Sequence, residues 1–531
     1  MNVSLYDSTL RDGAQGEGIS FSEGGKCKFA RLLDDFGFDF IEGGFAASNP
    51  KENHFFEAFR RAPLRHARLV AFGSTRRVDL DAGRDPQLSG LLEAGTEWVS
   101  IYGKASLLHV KDVLRTDPEN NLQIIADSVG YLRGKGRRVF FDAEHFFDGY
   151  RADPDYSLKV LETACREGAE VLVLCDTNGG TLPHEIYAAT RAVIGRFPGI
   201  QVAIHAHNDT GMGVANSIEA LRAGACMVQG CINGYGERAG NADLTTLIPT
   251  LELKMGIGCV GKARLQQLRT LSLATDDLAN ITPDTRRPYV GRSAFSHKAG
   301  THANAILKNP HTFEHVDPAS VGNERHILVS ELSGVSNVVM KARELGEDLT
   351  GREESEIRAV VDELKRLEDL GYSYESADAS FTLLLHKVLN RHTPKFQFDG
   401  FRVIVEKRGR DEPCISEATI KVKVRGETEL TAGEGSGPVD ALSEALRKAL
   451  TRFYPEIRDV TLRDYRVRIL DPDKGTQAIT RVLVEFGDKC RQWSTVGVSE
   501  NIIEASWQAL LDSVEFKLLS RKEESCNSTG S

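Results

Sequence analysis

Two histidines separated by one residue, His205 and His207, carry the strongest chemical signal in this chain of 531 residues. Side chains alternate between the two faces of a strand, so both imidazoles point the same way. Two imidazoles and one carboxylate suit a divalent transition metal that keeps open positions for substrate. Asp12 is the candidate carboxylate, and Asn241 adds a candidate amide oxygen. The alternative is that one histidine is structural.

The elements that would position these residues are eight short apolar runs, separated by segments that mostly show helical periodicity. The runs are Val3–Tyr6, Phe38–Ile41, Leu69–Phe72, Trp98–Tyr102, Val139–Phe141, Val171–Leu174, Val202–Ile204 and Met227–Gln229. In the first gap, Ser22 is the predicted N-cap of a helix and Gly37 its predicted end. Strands that alternate with helices form parallel units. Eight units predict an α/β fold, a (β/α)8 TIM barrel over residues 1–264. An open doubly wound sheet is the alternative.

A barrel of this kind carries its chemistry just after the carboxyl ends of its strands. Polar segments stand at those points: Arg11-Asp12-Gly13, Glu42-Gly43-Gly44, Asp142 to His145, Asp176 to Gly180, His205 to Asp209 and Asn233 to Asn241. An open sheet would not require such residues at so many strand ends. The glycine-rich stretch 234–240 either lets the backbone approach a ligand or only serves a turn.

Composition excludes several classes of protein. Apolar residues make up 41% and charged residues 27% of the chain, which is typical of a globular protein. No apolar stretch of about 18 residues occurs, so no membrane partner is expected, and the first residues lack the pattern of a secretory signal. The net charge of −10 argues against a nucleic-acid partner. Nine scattered cysteines without a Cys-x-x-Cys motif fit reduced thiols, so we expect a cytoplasmic protein.

The rest of the chain changes character twice. Residues 265–392 show helical patterns with polar connections, which predict helical linker subdomains. Two later segments are similar at an offset of 64 residues: Gly433 to Leu446 (GEGSGPVDALSEAL) and Gly497 to Leu510 (GVSENIIEASWQAL). Each indicates strands, a turn and an amphipathic helix, so a duplicated βββα unit is predicted in a C-terminal α+β domain over 393–520. Residues 521–531 are predicted to be a disordered tail.

Two segments resemble known signatures. Leu10 to Gln15 (LRDGAQ), followed by Lys26, resembles the first signature of the 2-isopropylmalate, homocitrate and citramalate synthases, and Val202 to Gly213 resembles the second. Arg11, Asp12 and Glu42 resemble the Asp-Arg-Glu set of the metallolyase superfamily that includes them. Further segments are most similar to the long bacterial citramalate synthases: Gly13 to Gly18 (GAQGEG), Ser48 to Lys51 (SNPK), Asp142 to Gly149 (DAEHFFDG), Asp176 to Glu185 (DTNGGTLPHE) and Val321 to Gly334 (VGNERHILVSELSG).

The resemblance implies an enzyme that joins acetyl-CoA to a 2-oxo acid and hydrolyses the thioester. It implies a divalent metal ion (Mn, Mg, Co or Zn) held by Asp12, His205, His207 and Asn241. The implied catalytic residues are Arg11, Glu144 and His302, and the implied substrate-binding residues are Arg11, Glu42 and Thr177. Arg11 would stabilise the developing alkoxide, Glu42 would pair with Arg11, Glu144 would assist proton transfers, and Thr177 would hold the substrate carboxylate.

Three of these roles have a structural alternative. Glu144 would otherwise form a salt bridge to a helix at the barrel rim, Thr177 would cap the next helix, and His302 would be a surface histidine. By the same resemblance the subdomain that carries His302 reaches over an active site. Phe313 departs from the pattern, because related synthases carry a tyrosine there. The hydroxyl of that tyrosine is either dispensable in this chain or replaced by the hydroxyl of Tyr289 or by a water molecule.

Pyruvate is the 2-oxo acid that the resemblance favours, with citramalate and CoA as products in a route to isoleucine. The alternative is 2-isopropylmalate synthesis from 2-oxoisovalerate. A biotin-dependent carboxyltransferase would carry an Ala-Met-Lys-Met segment, which is missing, and an amino-acid sensor with an inactive barrel would not need Asp12, His205 and His207. The resemblance also implies a homodimer whose C-terminal domain binds an amino-acid effector, isoleucine under the leading interpretation. A dimerisation module without a ligand is the alternative.

Overall fold

The computed structural model describes residues 3–46, 50–298, 300–328 and 334–519. Ser48 and Asn49, part of Val321 to Gly334, and the predicted tail 521–531 lie outside the described residues. The chain forms two compact units, Met1–Phe295 with His315–Arg325 and Ser296–Glu314 with His326–Ser531. Within the described ranges, no helix combines the length and the apolar character that a membrane span requires.

The first unit contains a closed barrel of eight parallel strands in sequence order, which confirms the predicted fold class. The strands are β1 (Ser4–Asp7), β2 (Phe40–Phe45), β3 (Arg68–Ser74), β4 (Trp98–Lys104), β5 (Arg138–Glu144), β6 (Val171–Asp176), β7 (Gln201–Ala206) and β8 (Met227–Gly230). β1 closes the barrel against β8, with Ser4 opposite Met227. Strands buried on both faces need continuous apolar runs, which is why short runs predicted them.

The first helix illustrates how local sequence sets an element's ends. α1 (Glu23–Phe36) begins after Ser22, whose side chain accepts a hydrogen bond from the backbone N–H of Gly25. It ends at Gly37, which has a left-handed backbone (φ 105°). The N–H of Phe38 also bonds back to the helix, at Leu33. Phe38 therefore belongs to the helix end, and β2 starts two residues later than its apolar run suggests.

The other helices of the first unit surround the barrel and follow it. They are α2 (Pro50–Arg61), α3 (Pro86–Glu93), α4 (Leu107–His109), α5 (Pro118–Gly134), α6 (Phe146–Ala152), α7 (Pro154–Arg166), α8 (Pro183–Arg196), α9 (Gly213–Ala223), α10 (Leu244–Lys254), α11 (Lys262–Leu265) and α12 (Leu268–Ala279). A π-helical turn, Val110–Leu114, follows α4. Aromatic side chains fill the barrel interior, among them Tyr6, Phe40, Trp98 and Phe140.

The second unit begins with helices and a small sheet. Its helices before the repeat are α13 (Gly300–Lys308), α14 (Val335–Glu344), α15 (Glu354–Asp369) and α16 (Asp378–Val388). Two short parallel strands, β9 (Ser296–His297) and β10 (His326–Ile327), were not predicted. Side chains of α14, α15 and α16 share one apolar core with Val496 and Val498 of the C-terminal region, so this unit has a continuous interior.

The predicted duplication is confirmed as two antiparallel three-stranded sheets, each followed by a helix. The first copy is β11 (Gln397–Glu406), β12 (Ile415–Val424), β13 (Glu427–Gly435) and α17 (Pro438–Thr451). The second is β14 (Thr461–Ile469), β15 (Thr480–Gly487), β16 (Gln492–Ser499) and α18 (Ile502–Leu519). Gly433 and Gly497, which the repeat aligns, each lie against the helix of their own copy, where a Cβ atom would collide with the helix backbone.

Candidate active site and metal centre

Three buried side chains meet at the carboxyl end of the barrel. Asp12 follows β1, and His205 and His207 stand at the end of β7 and just after it. One oxygen or nitrogen atom from each residue lies within 4.8 Å of the others. Asp12 Oδ2 is 3.4 Å from His205 Nε2 and 3.8 Å from His207 Nε2. The structure thus brings together the three residues that the sequence singled out as metal ligands.

Neighbouring strands fix the orientation of these ligands. Gln229 lies opposite His205 in the β7–β8 register, and its side-chain oxygen is 3.1 Å from His205 Nδ1. That contact leaves Nε2 facing Asp12 and His207, the usual arrangement of a metal-bound imidazole. Sequence reasoning missed Gln229, although its position one residue before the end of β8 places it at the same barrel end.

Asn241 completes the cluster from the loop after β8. Its Nδ2 donates to Asp12 Oδ1 (3.1 Å) and to the carbonyl oxygen of Tyr235 (3.0 Å). Its Oδ1 is buried and has no hydrogen-bond partner in the described part of the chain. A Cβ at Gly236 would collide with the Asn241 amide, so the glycine-rich loop is shaped around this side chain. Because Nδ2 is the atom that faces Asp12, a 180° turn of the amide would direct Oδ1 to the side where a cation held by Asp12 would lie and would give this buried acceptor a partner.

The charges of the cluster fit a divalent cation. Burial alone would raise the pKa of Asp12, but Arg11 and the imidazole of His205 hold that pKa well below its usual range, so the carboxylate is ionised. Burial and the neighbouring His205 lower the pKa of His207 to about 4, which keeps this imidazole neutral. One anionic oxygen, two imidazoles and an amide oxygen are the donors that divalent metal ions take in open catalytic sites.

Arg11 lies beside the cluster and is held on several sides. Its Nε donates to Glu42 Oε2 (2.7 Å), and its Nη1 donates to Asp12 Oδ2 (2.9 Å). The guanidinium carbon lies 3.8 Å from the centre of the Phe72 ring. Burial alone would lower the pKa of Arg11, but the carboxylates of Glu42 and Asp12 raise it, so the group keeps its charge. The expected pairing of Glu42 with Arg11 is present.

Tyr6 is part of the same network, and sequence reasoning missed it. Its hydroxyl donates to Glu42 Oε1 at 2.8 Å, so Tyr6 and Arg11 each bind one oxygen of that carboxylate. Tyr6 is fully buried, with its ring packed on Phe40 and Phe140. The only sequence signal was a tyrosine in the first apolar run, where strand position implies an inward side chain.

Glu144 ends β5 and forms an ion pair with Lys104, the residue opposite it at the end of β4. The partner is therefore a neighbouring strand end and not a helix at the rim. The Glu144 side chain remains 23% exposed, so it is reachable from solvent at the carboxyl end of the barrel. Lys104 was not singled out from the sequence, because its pairing depends on strand register.

Thr177 follows β6 and does not cap a helix, since α8 begins only at Pro183. Its Oγ1 accepts a hydrogen bond from the backbone N–H of His145 at 2.8 Å. The Thr177 hydroxyl therefore does not cap the next helix, which was the structural alternative. The side chain stands at the same barrel end as Arg11 and Glu144.

His302 lies on α13 in the second unit, with its ring stacked on that of Phe313 at 4.1 Å between centroids. Its catalytic role stays a prediction. His297 Nε2 lies 3.3 Å from Glu314 Oε1.

In the first unit, the hydroxyl of Tyr289 lies 3.1 Å from Thr250 Oγ1. Tyr289 therefore has a partner within the last helix of the barrel.

Comparison with known families assigns each part of the chain. Residues 2–274 match the HMGL-like family model. Residues 289–371 match the model described as homocitrate synthase post-HMGL domain-like, and residues 375–518 match the LeuA allosteric (dimerisation) domain. The buried group of Asp12, His205 and His207 is consistent with the divalent metal site of the HMGL-like family.

Individual relatives narrow this assignment. The chain is 49% identical over 522 residues to the (R)-citramalate synthase of Aquifex aeolicus, covering 98% of this chain and 99% of that protein. It is 50% identical over 525 residues to the (R)-citramalate synthase of Synechocystis sp., covering 97% and 96%. A 2-isopropylmalate synthase of Methanocaldococcus jannaschii is 29% identical over 523 residues, covering 98% and 95%. With this identity over nearly its whole length, the chain belongs to the family of (R)-citramalate synthases.

Proposed function

We propose that this chain condenses acetyl-CoA with pyruvate and hydrolyses the thioester, giving citramalate and CoA. The buried cluster of Asp12, His205 and His207 beside the charged Arg11 carries the metal-dependent condensation, and the similarity to the (R)-citramalate synthases carries the choice of pyruvate. In the reaction the acetyl methyl group loses a proton, and its carbon bonds to the ketone carbon of pyruvate. The ketone oxygen gains a proton, and water then cleaves the thioester.

Asp12, His205 and His207 would hold a divalent ion, with the Asn241 oxygen as a further ligand. Such an ion, when bound, acts as a Lewis acid on the 2-oxo group of the substrate. Two imidazoles among the donors favour manganese, cobalt or zinc over magnesium, which prefers oxygen ligands. Arg11 and His205 keep the Asp12 carboxylate ionised, and burial keeps the His207 imidazole neutral.

Arg11 supplies the positive charge for the oxygen that becomes an alkoxide. The network of Glu42 and Tyr6 fixes its guanidinium before substrate arrives, so no reorganisation is needed when charge develops. Phe72 shields the other face of the guanidinium from water. A charge held in a buried site of this kind acts more strongly than one in solvent.

Glu144 is the proposed base for the acetyl methyl proton, and Thr177 the proposed partner of the pyruvate carboxylate. Glu144 is bound to Lys104 and partly exposed, so one carboxylate oxygen remains available to substrate. His302 is proposed as a further catalytic residue.

The proposed domain limits are 1–264 for the catalytic barrel, 265–392 for the linker subdomains and 393–520 for a regulatory domain. We propose that the latter binds isoleucine and joins two chains as a homodimer. The match to the LeuA allosteric (dimerisation) domain supports this. So do apolar side chains exposed on its strands: Ile404, Leu430, Leu462 and Ile469, which are 44%, 68%, 45% and 56% exposed.

The reaction is tested by thiol release from acetyl-CoA with a panel of 2-oxo acids. We expect kcat/KM for pyruvate to exceed that for 2-oxoisovalerate by at least about tenfold, because an apolar pocket must exclude two extra methyl groups. Equal or faster reaction with 2-oxoisovalerate would instead assign the chain to 2-isopropylmalate synthesis. No thiol release with any 2-oxo acid would refute the proposed reaction.

Regulation is tested on the full chain, because α16 shares a core with β16 and a truncated chain would expose Phe381 and Leu384. We expect isoleucine to inhibit more strongly than leucine. Leu430→Glu should weaken dimerisation in sedimentation velocity and reduce the inhibition while leaving CoA release measurable. Stronger inhibition by leucine would contradict the proposed effector, and an unchanged dimer in both Leu430→Glu and Ile469→Glu would contradict the proposed surface.

A further inference from the structure

Two residues with a strained backbone converge on Thr177. His145, directly after β5, has φ 58° and ψ 33°, and Arg238, in the loop after β8, has φ 57°. Both values lie in the left-handed region, which costs free energy for residues other than glycine. Such strain persists only where the surroundings enforce it, and it clusters at active sites. Here both strained residues contact the same threonine.

His145 binds the threonine hydroxyl through its own backbone. The N–H of His145 donates to Thr177 Oγ1 at 2.8 Å. The His145 side chain is buried, and its ring lies nearly parallel to that of His109, with 3.7 Å between centroids and 12° between planes. The stacked rings therefore hold His145 in the conformation that aims its N–H at Thr177.

Arg238 binds the backbone of the same residue. Its Nη2 donates to the carbonyl oxygen of Thr177 at 2.7 Å. The guanidinium also makes two bonds to the carboxylate of Asp209, at 2.8 Å from Nε and 3.0 Å from Nη2. This two-pronged pair fixes the direction of the guanidinium. Thr177 is thus held at its hydroxyl from the β5 side and at its carbonyl from the β8 side.

The direction of the first bond decides what the hydroxyl can do. Because Thr177 Oγ1 accepts from His145, its own proton is free to be donated to another acceptor. We propose that His145 and Arg238 are positioning residues that orient the Thr177 hydroxyl as a donor to the carboxylate of the 2-oxo acid. This inference rests on the proposed function, in which Thr177 binds that carboxylate.

A matched pair of variants separates the backbone of His145 from its imidazole. His145→Ala and His145→Gly both remove the ring, but only glycine adopts the left-handed conformation without strain. We expect KM for pyruvate to be about three- to tenfold higher in the alanine variant than in the glycine variant, the size of one hydrogen bond. KM for acetyl-CoA should stay the same in both. His145→Asn, which tolerates this conformation, should resemble the glycine variant.

Arg238 gives a second test that does not depend on the fold of the His145 variants. Arg238→Lys keeps the positive charge but loses the two-pronged geometry, so it should also raise KM for pyruvate by about three- to tenfold. In a Thr177→Val background, where the hydroxyl is absent, neither His145→Ala nor Arg238→Lys should raise KM further. Thr177→Ser keeps the hydroxyl, so in that background His145→Ala and Arg238→Lys should each still raise KM for pyruvate.

Asn280→Ala is the matched control for strain alone. Asn280 ends α12 with φ 58° and does not belong to the site, so its replacement should lower the melting temperature without changing KM. Equal KM in His145→Ala and His145→Gly, together with an unchanged KM in Arg238→Lys, would overturn the inference. A wild-type chain that releases no CoA with any 2-oxo acid would overturn the proposed function itself.

Discussion

Carboxylates at the two ends of the barrel have different partners. Before β3, Asp34 accepts hydrogen bonds from three consecutive backbone N–H groups, those of Arg65, His66 and Ala67, at 2.6–2.8 Å. Glu252 of α10 accepts three in the same way from residues 259–261. At the carboxyl end, Asp12 and Glu42 share the side chain of Arg11, and Glu144 binds that of Lys104.

The difference separates structural from functional acids. A carboxylate whose oxygens are occupied by backbone amides fixes a turn and has little capacity for a ligand. A carboxylate paired with a side chain, next to an unsatisfied acceptor such as Asn241 Oδ1, retains capacity for a cation or substrate. This agrees with the general division of such barrels into a stabilising amino end and a catalytic carboxyl end. Substitutions at the carboxyl end should therefore lower turnover, and substitutions at the amino end should lower the free energy of unfolding.

The largest effect is expected at the metal cluster. Asp12→Ala or His207→Ala should lower turnover by roughly a thousandfold or more, because each removes a ligand from a site with few protein ligands. The bound metal per chain should fall in parallel, with far-ultraviolet circular dichroism unchanged. Treating the wild-type chain with a chelator should have the same effect. Full activity after removal of the metal would exclude the metal-dependent reaction.

A smaller loss is expected at Glu144. Glu144→Gln removes a base but keeps the shape, so kcat should fall by roughly a hundredfold, with little change in KM for pyruvate. Lys104→Met is the matched variant, because it breaks the same ion pair and leaves the carboxylate in place. Equal losses of kcat in the two variants would show that the ion pair matters and that Glu144 is not the base.

Tyr6→Phe should produce a modest effect. It deletes one hydrogen bond to Glu42 and preserves the ring contacts with Phe40 and Phe140. We expect kcat to fall by about three- to tenfold, because Glu42 then holds Arg11 less firmly. The melting temperature should change little. A kcat equal to that of the wild type would mean that Arg11 alone fixes Glu42.

Asp34→Asn should leave turnover unchanged and lower the free energy of unfolding by about 1–3 kcal/mol. Burial alone would raise the pKa of Asp34, but the three backbone N–H groups lower it below its ordinary value. The stabilisation is therefore complete above the ordinary aspartate pKa of about 3.9 and is lost as the pH falls toward the folded-state value. Chemical denaturation at neutral and acid pH measures this. A stability difference that grows in acid would contradict the sign.

The sequence predicted the features that depend on local pattern. Eight apolar runs predicted eight strands, and Ser22 and Gly37 predicted both ends of α1. The strand-end rule also predicted that Asp12, His205 and His207 lie together, since all three stand at or just after strand ends that meet at one end of the barrel. These predictions need only periodicity, capping and the topology of the fold.

The missed features depend on register and on loop conformation. Lys104 meets Glu144 because β4 and β5 align at those residues, which no single segment reveals. Inside the barrel, Tyr6 of β1 meets Glu42 of β2, and Gln229 of β8 meets His205 of β7, so these contacts depend on the register between neighbouring strands. The bond from His145 to Thr177 depends on one left-handed residue. Histidine is one of the residues enriched in that conformation, but its type alone does not show at which position the chain adopts it.

The closure of β1 against β8 also has a consequence for the order of folding. Ser4 pairs with Met227, so the ring of strands can be completed only after more than two hundred residues have been synthesised. Contacts so distant in the chain form slowly because loop-closure entropy must be overcome first. Asp12 follows β1, whereas His205, His207 and Asn241 come from β7 and the loops after β7 and β8, so the ligands assemble only when the ring closes. Metal ions added during refolding should therefore stabilise the closed barrel and leave earlier, open intermediates unaffected.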